Sequence, residues 1–248
     1  MSMMINPFLA KGGGVGFPTS FTSWARFKAN DQSEGNGVLV TQLTDLSGNG
    51  RHATQANSSR HCSMRTGVVN NKKAFDFTPD VLAPFYELPS MSAFSQGEIF
   101  YILKCDTNDN PDGFTSGLSQ CGSSTENSHY EYGADTIYEH FGLSARVNFT
   151  TPVFNTAAYH CYNCNVNLTT FRAYQNNVSR ANITLSSVPT TKSFTPSPII
   201  GGNQGGSYAT QFNGRMAEIV ICSTILTTAQ RFDLHSYFNY EYGLTMTP

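Results

Sequence analysis

The chain has 248 residues, of which 13% are charged, and a formal net charge of −2; this charged fraction is about half of that in a typical soluble domain. Its 15 lysines and arginines are scattered, which excludes the basic stripe of a nucleic-acid-binding protein, and no apolar run approaches the roughly 20 residues that cross a membrane. The first ten residues lack the basic and long apolar regions of a signal peptide, which predicts a protein made in a cytosol.

Residues 1–20 are predicted to form an arm, separate from a single domain of residues 21–248. The stretch Lys11-Gly-Gly-Gly-Val-Gly16 favours irregular backbone, because glycine adopts conformations that other residues avoid. Pro18 adds a break, since it lacks a backbone N–H group. We expect the arm to pack on a neighbouring subunit or on another protein.

Residues 45–50, Asp-Leu-Ser-Gly-Asn-Gly, predict a tight turn. Asp45 can accept hydrogen bonds from the backbone N–H groups that follow it, and Gly48 and Gly50 tolerate positive φ. This segment resembles the opening of the laminin-G-like jelly rolls of the concanavalin A-like superfamily. In those domains an aromatic residue and an aspartate lead into the same turn and a short His-Ala strand. Structural roles are therefore expected for Asp45, Gly48 and Gly50.

The middle of the chain is predicted to be rich in strands. Residues 98–104 form a short run of apolar, β-branched and aromatic residues, which is typical of a strand covered on both faces. Further short strands are expected at residues 137–138, 145–149 and 158–168. Asn176 and Asn177 lie between two strand-like runs, and paired asparagines tolerate the left-handed angles of a type I′ hairpin turn.

One α-helix is predicted near the C-terminus. Thr227 or Thr228 can cap its first turn, and Gly243 supplies the left-handed residue that ends it. Its apolar stripe, with helical spacing, comprises Leu234, Tyr237, Phe238 and Tyr242. The strands and the helix of the last third resemble the closing half of the same jelly rolls. The predicted fold class is therefore all-β, a two-sheet antiparallel jelly-roll sandwich with one short C-terminal helix.

Glu218 is the unusual residue of the last predicted strand. Alternation divides this strand into two faces, with Glu218, Val220 and Cys222 on one and Ala217, Ile219 and Ile221 on the other. The resembled family also carries a glutamate at this place. We expect a structural carboxylate bonded to the backbone or to Arg215, with ligand binding as the second interpretation. Gly214, which opens the strand, is also expected to be structural.

The six cysteines are predicted to be free thiols, since disulfides are rare in a reducing cytosol. Cys161 and Cys164 have a spacing found in metal sites. On a strand, however, they point to opposite faces, and structural zinc needs four ligands. No metal is expected there.

Glu131, Asp135 and Glu139 form the best cluster of carboxylates in the sequence. Hydrolysis of a glycosidic bond uses two carboxyl groups about 5–9.5 Å apart. The glucanases of the resembled superfamily place theirs as Glu-x-Asp-x-x-Glu, a motif that this sequence lacks. We therefore expect the three residues to be solvated strand or loop positions, and catalysis to be the minor alternative.

Calcium is the one cofactor that the sequence leaves open. Relatives in the resembled superfamily hold this ion at a rim of the sandwich, and oxygen ligands from loops suit it. The candidates are Asp45 and the aspartates of a polar loop, Asp106, Asp109 and Asp112. The favoured interpretation is that Asp45 only ties its own turn and that the loop is merely polar.

Sugar binding is the second open possibility, because aromatic rings and uncharged polar side chains are abundant. The candidate ligand-binding residues are Tyr130, Tyr132, Tyr138 and Asp135. Tyrosine in a β-sandwich more often packs in the core or at the rim.

The predicted function rests on a short resemblance. Residues 4–14, Met-Ile-Asn-Pro-Phe-Leu-Ala-Lys-Gly-Gly-Gly, resemble the start of tailed-bacteriophage virion proteins. We expect a non-enzymatic virion component, assembled in the bacterial cytoplasm, whose jelly roll binds a host glycan or another virion protein and forms a homo-oligomer. The alternatives are a capsid-decoration or fibre protein with protein contacts alone, and a polysaccharide-degrading enzyme. Fold by itself does not choose among them.

Overall fold

A computed structural model describes residues 15–78, 84–94, 96–106, 117–120, 127–130, 136–141, 147–150, 158–185, 192–194, 198–202 and 212–246. Within these ranges the chain forms eighteen β-strands and one α-helix. In this part of the chain, no helix has both the length and the apolar character needed to cross a bilayer.

The strands come in three groups along the chain, and the helix follows the last of them. The first strands are β1 (Ala25–Lys28), β2 (Gln42–Leu43), β3 (Ala53–Thr54), β4 (Ser63–Val69), β5 (Lys72–Asp76), β6 (Tyr86–Glu87) and β7 (Met91–Phe94). The middle strands are β8 (Gln96–Cys105), β9 (Gly117–Gln120), β10 (Asn127–His129), β11 (Thr136–Glu139) and β12 (Val147–Thr150). The last elements are β13 (His160–Asn167), β14 (Thr170–Gln175), β15 (Val178–Thr184), β16 (Lys192–Phe194), β17 (Ile199–Ile200), β18 (Gly214–Cys222) and α1 (Thr228–Tyr242).

Two antiparallel sheets of eight strands each form the sandwich. Sheet 1 has the order β15-β14-β13-β8-β18-β5-β4. The edge of β18 that does not face β8 is shared by two strands, because β5 pairs with residues 215–216 and β1 with residues 218–221. Sheet 2 has the order β12-β11-β10-β9-β17-β6-β3-β2, and β16 and β7 form a small additional sheet. The predicted fold class, a two-sheet sandwich with one C-terminal helix, is confirmed.

The central strands of sheet 1, β13, β8 and β18, are buried on both faces. Ile99 and Tyr101 of β8 face the core between the two sheets, whereas Phe100 and Ile102 face a second core beneath α1. Every residue of β8 from 97 to 103 is buried, as expected of a strand covered on both sides. The predicted strand at residues 98–104 is confirmed.

Helix α1 begins and ends as the sequence predicts. Thr227 is the N-cap, and it forms a reciprocal capping box with Gln230, which satisfies N–H groups that the first turn leaves unpaired. Gly243 ends the helix with φ of 66°. The predicted stripe of Leu234, Tyr237, Phe238 and Tyr242 is buried against sheet 1.

Two asparagine pairs form hairpin turns. Asn176 and Asn177, with φ of 48° and 65°, join β14 to β15, which confirms the predicted left-handed turn. Asn70 and Asn71, with φ of 43° and 58°, join β4 to β5 in the same way. The second turn carries the same sequence signal but was not among our predictions.

Strand β18 contains a bulge that alternation could not anticipate. Its pairing with β8 skips one residue between Met216 and Glu218, which makes Ala217 the extra residue of a β-bulge. Ala217 therefore packs on the helix side of sheet 1 with Val220, whereas strict alternation places it on the opposite face with Ile219. The predicted faces of Val220 and Ile219 are confirmed.

Glu218 is fully buried between sheet 1 and α1. Its carboxylate accepts hydrogen bonds from Arg26 Nε at 2.6 Å, Tyr237 Oη at 2.9 Å and Tyr242 Oη at 2.5 Å. The expected structural role agrees with this geometry, but the partner is Arg26 of β1. The predicted partner Arg215 instead forms ion pairs with aspartates outside the helix-side core.

A second buried carboxylate, Glu98 of β8, holds the start of α1. Both of its oxygens are bonded by the Arg231 guanidinium at 3.0 Å, and one also accepts the Leu226 N–H group at 3.0 Å. Removing one partner from a buried ion pair costs about 3–5 kcal/mol. The helix is therefore fixed to sheet 1 at both of its ends, by Glu98 and by Glu218.

The cysteines that the structure describes are buried and unbridged. All five that the structure describes, Cys62, Cys105, Cys161, Cys164 and Cys222, are free, and Cys121 lies outside the described residues. Cys161 belongs to the helix-side core and Cys164 to the core between the sheets, so they point to opposite faces as predicted. Among the described residues, no group of three or more His, Cys, Asp or Glu side chains is placed to hold a metal ion.

The described part of the predicted arm packs on the sandwich. Val15 and Phe17 contact the helix-side core. The centre of the Phe17 ring lies 5.4 Å from that of Tyr237 and 3.6 Å from the guanidinium carbon of Arg26. Residues 1–14 lie outside the described residues, and the division of the chain at residue 20 stays a prediction.

Gly214 is required by close contact between strands. A Cβ atom at this position would lie 2.3 Å from the carbonyl oxygen of Lys104 and 3.0 Å from Cα of Cys105. Because these are backbone atoms of β8, they cannot move without disturbing the sheet. We predict that Gly214→Ala lowers the free energy of unfolding, measured by urea denaturation, by about 2 kcal/mol.

Gly35→Ala is the matched control for this variant. A Cβ atom there would meet only the Val38 Cγ2 atom, at 3.9 Å, so the change should stay within about 0.5 kcal/mol. Equal stability of the two variants would show that the contact at Gly214 does not constrain the sheet.

Candidate functional site

A pocket of about 380 Å³ opens at the rim of sheet 1, where β1 begins and β18 ends. It contains Trp24, the single tryptophan of the chain. Four separate segments line it: residues 21–24, Asn49 and Arg51, Ser223 and Thr224, and Gln230. We call this site the Trp24 pocket.

The turn that the sequence predicts at residues 45–50 builds one wall of the Trp24 pocket. The Asp45 carboxylate accepts hydrogen bonds from the backbone N–H groups of Arg26, Ser47 and Arg51 at 2.8–2.9 Å. Gly48 and Gly50 have φ of 85° and 67°, as predicted. The turn is thereby tied to the first residues of β1, next to the tryptophan.

Burial and hydrogen bonding shift the pKa of Asp45 in opposite directions. Burial acts to raise the pKa of its carboxyl group, but the N–H groups of Arg26, Ser47 and Arg51 outweigh it, so the pKa is lowered. Hydrogen bonds to the charged form have this effect because they stabilise the carboxylate and not the acid. Asp45 is therefore ionised in the folded state at neutral pH.

Two side chains of the turn fix the backbone around Trp24. Asn49 Nδ2 donates to the carbonyl oxygens of Ser23 and Trp24 at 3.0 and 3.1 Å. Arg51 Nη1 donates to the Trp24 carbonyl oxygen at 2.6 Å, and its guanidinium carbon lies 4.5 Å from the centre of the indole ring. This cation–π contact and the hydrogen bonds hold the tryptophan in one place.

The opposite wall of the Trp24 pocket is the start of α1. Gln230, which lies in the capping box, also donates from Nε2 to the Ser20 carbonyl oxygen at 2.7 Å. The Trp24 N–H group donates to the Ile221 carbonyl oxygen at 2.6 Å. The pocket therefore rests on regular structure on both sides, which favours a preformed site.

The lining of the Trp24 pocket offers aromatic and hydrogen-bonding groups. It combines one indole ring with hydroxyl and amide side chains, and Arg51 is its only charged residue among those described. The volume of the pocket lies within the range of about 300–1,000 Å³ that is usual for small-molecule sites. Among the described residues, no carboxylate lines the pocket.

A cluster of ion pairs lies at the opposite end of β18, away from the Trp24 pocket. Arg215 approaches two carboxylates, with Nε 3.7 Å from Asp76 Oδ2 and Nη2 3.2 Å from Asp106 Oδ2. Arg65 Nε binds Asp76 Oδ2 at 2.5 Å, and Thr78 donates to Asp106. Burial acts to raise the pKa of Asp76, but the bonds from Arg65 and Thr78 and the nearby Arg215 lower it.

Tyr130 is not the exposed platform that the sugar-binding possibility requires, and it packs in the core, which is the more usual place of tyrosine in a β-sandwich. It is 1% exposed, its ring packs at 4.9 Å on Tyr162 between the sheets, and its hydroxyl is hydrogen-bonded to Nε2 of His160. This correction follows from burial, because a ring enclosed by both sheets cannot receive a ligand from solvent.

The remaining predicted ligand residues are placed only in part. Tyr138 lies in β11, paired with His129 of β10 and Asn148 of β12. Tyr132, Asp135 and Glu131 lie outside the described residues. Sugar binding at this group of residues stays a prediction.

Glu139 is buried, whereas the sequence predicts a solvated position. It is 1% exposed and accepts hydrogen bonds from the Ser128 hydroxyl, the Tyr162 hydroxyl and the backbone N–H groups of His140 and Phe141. Four donors on one carboxylate satisfy it within the core. The structure therefore gives Glu139 a place in the packing of the sandwich and not in an open cleft.

Calcium binding is not tested by this structure. The Asp45 oxygens accept hydrogen bonds from the turn and from Arg26, and the Asp106 carboxylate contacts Thr78 and Arg215. This agrees with the favoured interpretation that Asp45 ties its own turn. Asp109 and Asp112 lie outside the described residues, so calcium at the rim stays a prediction.

Comparison with known proteins identifies the fold. No protein-family model and no curated protein sequence matches this chain. Domain 4 of AbnA, a GH43 extracellular arabinanase from Geobacillus stearothermophilus solved in complex with arabinotriose, matches with a TM-score of 0.60 and 16% identity. The match covers 86% of this chain and 98% of that domain.

Two larger enzymes match over part of their length. A Trypanosoma rangeli sialidase has a TM-score of 0.59 and 14% identity, covering 92% of this chain and 34% of the sialidase. A GH54 α-L-arabinofuranosidase has a TM-score of 0.57 and 11% identity, covering 82% of this chain and 51% of the enzyme. The chain thus spans about a third of one and about half of the other, and at this identity the likeness concerns the fold.

These structures correct the predicted function. We expected a non-enzymatic bacteriophage virion protein, but the solved structures that share the fold come from an arabinanase, a sialidase and an arabinofuranosidase. The prediction of a non-enzymatic virion component, and with it the prediction that the chain is not an enzyme, is wrong on this comparison. The alternative of a polysaccharide-degrading enzyme agrees better with it.

The Asp45 turn predicts a pH dependence of stability. A carboxylate whose pKa is lowered by folding stabilises the fold above its unfolded pKa of about 3.9, and this contribution is lost as pH falls through the folded value. Asp45→Asn should lower the free energy of unfolding by about 1–2 kcal/mol at pH 7. The difference from wild type should shrink as urea denaturation is repeated from pH 5 towards pH 2.

Asp31→Asn is the control for the Asp45 experiment, because Asp31 forms a surface ion pair with Lys28 and such pairs contribute about 0–1 kcal/mol. A difference between wild type and Asp45→Asn that stays constant down to pH 2 would contradict the proposed role of the ionised carboxylate.

Proposed function

We propose that this chain takes part in polysaccharide breakdown and that it holds a glycan chain at the Trp24 pocket. The observation that carries the proposal is the position of the single tryptophan, which is partly buried and is fixed by Arg51 and Asn49 in the lining of a pocket with hydroxyl and amide groups. An indole ring offers a flat apolar surface to the C–H face of a sugar, and the polar side chains can bond its hydroxyls.

The comparison with AbnA supports this proposal and suggests the first ligand. Domain 4 of that arabinanase was solved with arabinotriose bound, and the chain covers nearly all of it. The arabinofuranosidase that shares the fold is also named for an arabinose-containing substrate. Arabinan is accordingly the first polysaccharide to test, together with xylan, mannan and galactan.

Trp24→Ala should weaken binding of arabinotriose, or of whichever oligosaccharide of the panel binds, by at least tenfold in isothermal titration calorimetry. The reason is that removing a central aromatic anchor commonly costs more than about 1.4 kcal/mol, which is a tenfold change. Trp24→Phe should restore part of the affinity, because it keeps a ring. Thermal unfolding of each variant verifies that the sandwich is intact.

Tyr240→Ala is the matched control for Trp24→Ala. Tyr240 is an aromatic residue that is 54% exposed on α1, and it does not line the Trp24 pocket. Its removal should leave the affinity unchanged. Equal binding by wild type and Trp24→Ala would place the glycan elsewhere on the molecule.

A second candidate function is hydrolysis by this chain itself. The observation that favours it is the pair of carboxylates, Asp76 and Asp106, on either side of Arg215. Paired carboxylates serve as nucleophile or base and as acid in glycoside hydrolysis. The side chain of Asp106 is 20% exposed and that of Asp76 only 3%, so Asp106 is the member of the pair that a substrate can reach. Asp76, whose pKa is lowered by Arg65, Thr78 and Arg215, would stay ionised beside it.

Asp106→Asn tests this second candidate. If the chain releases reducing ends from arabinan or another polysaccharide of the panel, the variant should lose at least a hundredfold in rate, which is the usual effect of removing an acid or base. Asp31→Asn, an exposed aspartate far from the pair in sequence, serves as the control. Absence of hydrolysis by the wild type, or an unchanged rate in Asp106→Asn, would eliminate catalysis at this pair and leave the binding proposal intact.

The location of the protein, its homo-oligomeric state and calcium binding stay predictions. Each can be tested directly, by fractionation of the native source, by light scattering and by calcium titration.

A further inference from the structure

A second pocket lies directly beside the Trp24 pocket. Its volume is about 340 Å³, and its lining includes Phe17, Thr19, Ser20, Asp233 and Ser236. The two pockets meet at one hydrogen bond, because Ser20 lines the second pocket and its carbonyl oxygen accepts from Gln230, which lines the first. The segment of residues 15–24 forms a wall of both pockets.

We propose that the second pocket is a further sugar subsite, so that one glycan chain occupies both pockets across the Ser20–Gln230 contact. This inference rests on the proposed function of the Trp24 pocket. It adds a second place of contact and a preference for oligosaccharides over single sugars. Each pocket has a volume within the range of small-molecule sites, about 300–1,000 Å³.

The polar groups of the second pocket are fixed by the helix. Asp233 and Ser236 are three residues apart in α1 and therefore share one face. Asp233 Oδ2 accepts a hydrogen bond from Ser20 Oγ at 3.1 Å, which orients the carboxylate beside the pocket. The Asp233 carboxylate can accept a hydrogen bond from one sugar hydroxyl, and the neighbouring serine hydroxyl can donate to or accept from the next one.

The apolar wall of the second pocket is also held in place. Phe17 packs against Phe21 with ring centres 5.7 Å apart and against Tyr237 at 5.4 Å. The Arg26 guanidinium lies 3.6 Å from the centre of the same ring. The aromatic residue at this subsite therefore does not need to be ordered when a sugar binds, which lowers the entropic cost of binding.

Charge defines the class of sugar that fits. Asp233 is the charged residue of the second pocket among those described, and Arg51 is that of the first. A sugar that carries a carboxylate or sulfate would be repelled by Asp233 and would leave it without a sugar hydroxyl to bond. The second subsite therefore selects uncharged sugars.

The length of the oligosaccharide tests the proposal. The probes are arabino-, xylo- and manno-oligosaccharides of three and six residues, titrated into the whole chain by calorimetry. For a series that binds, the hexasaccharide should bind wild type about tenfold more tightly than the trisaccharide, as expected from one or two added hydrogen bonds to a charged group. Hexagalacturonate should show no such gain over trigalacturonate.

Two variants assign the gain to the second pocket. Asp233→Ala removes the carboxylate, and Ser236→Tyr fills the pocket without touching the Trp24 pocket. Both should reduce hexasaccharide affinity to the level of the trisaccharide while leaving trisaccharide affinity as in wild type. Phe232→Ala, at an exposed neighbour in α1 that lines neither pocket, should keep the full gain.

The outcomes separate the two proposals. If wild type binds tri- and hexasaccharide equally, or if the gain survives both variants, the second subsite is overturned while glycan binding at the Trp24 pocket stands. If no oligosaccharide binds at all, glycan binding fails as well. A gain for hexagalacturonate would overturn the preference for uncharged sugars.

Discussion

The burial of Glu218 is the constraint on which this structure depends. A carboxylate enclosed between sheet 1 and α1 must be satisfied, and the groups that satisfy it are Arg26 of β1 and two tyrosines of α1. The first strand, the central strand and the terminal helix therefore have to converge at one point. The Trp24 pocket results from that convergence, because its lining includes the residues just before β1, the residues just after β18 and Gln230 of α1.

The architecture could be predicted to the extent that its signals are local. The N-cap at Thr227, one of the two residues predicted for it, the left-handed asparagines at residues 176–177 and the Asp45 turn depend on neighbours within a few residues, and each agrees with the prediction. The bulge at Ala217 is not local, because it is defined by the pairing of β18 with β8. The partner of Glu218 is likewise beyond local reasoning, since Arg26 is 192 residues away in the chain.

The candidate site was missed for the same reason. Trp24, Asn49, Thr224 and Gln230 become neighbours only when β1, a turn, β18 and α1 are assembled. The signal that could have indicated it is the single tryptophan, Trp24, in the segment that leads towards the predicted turn at residues 45–50. The sequence offered instead the tyrosines around residues 130–138 as candidates, because aromatic residues are abundant there, but Tyr130 packs inside the sandwich.

The burial of the cysteines makes the two cores separately observable. The thiolate is the reactive form of cysteine, and burial raises the pKa of Cys62 to about 12 and those of Cys161 and Cys222 far above their usual range. These thiols react only when their surroundings open. Cys161 and Cys222 would report detachment of the helix, and Cys62 separation of the two sheets, so the native sequence already carries chemical reporters for two distinct modes of local unfolding.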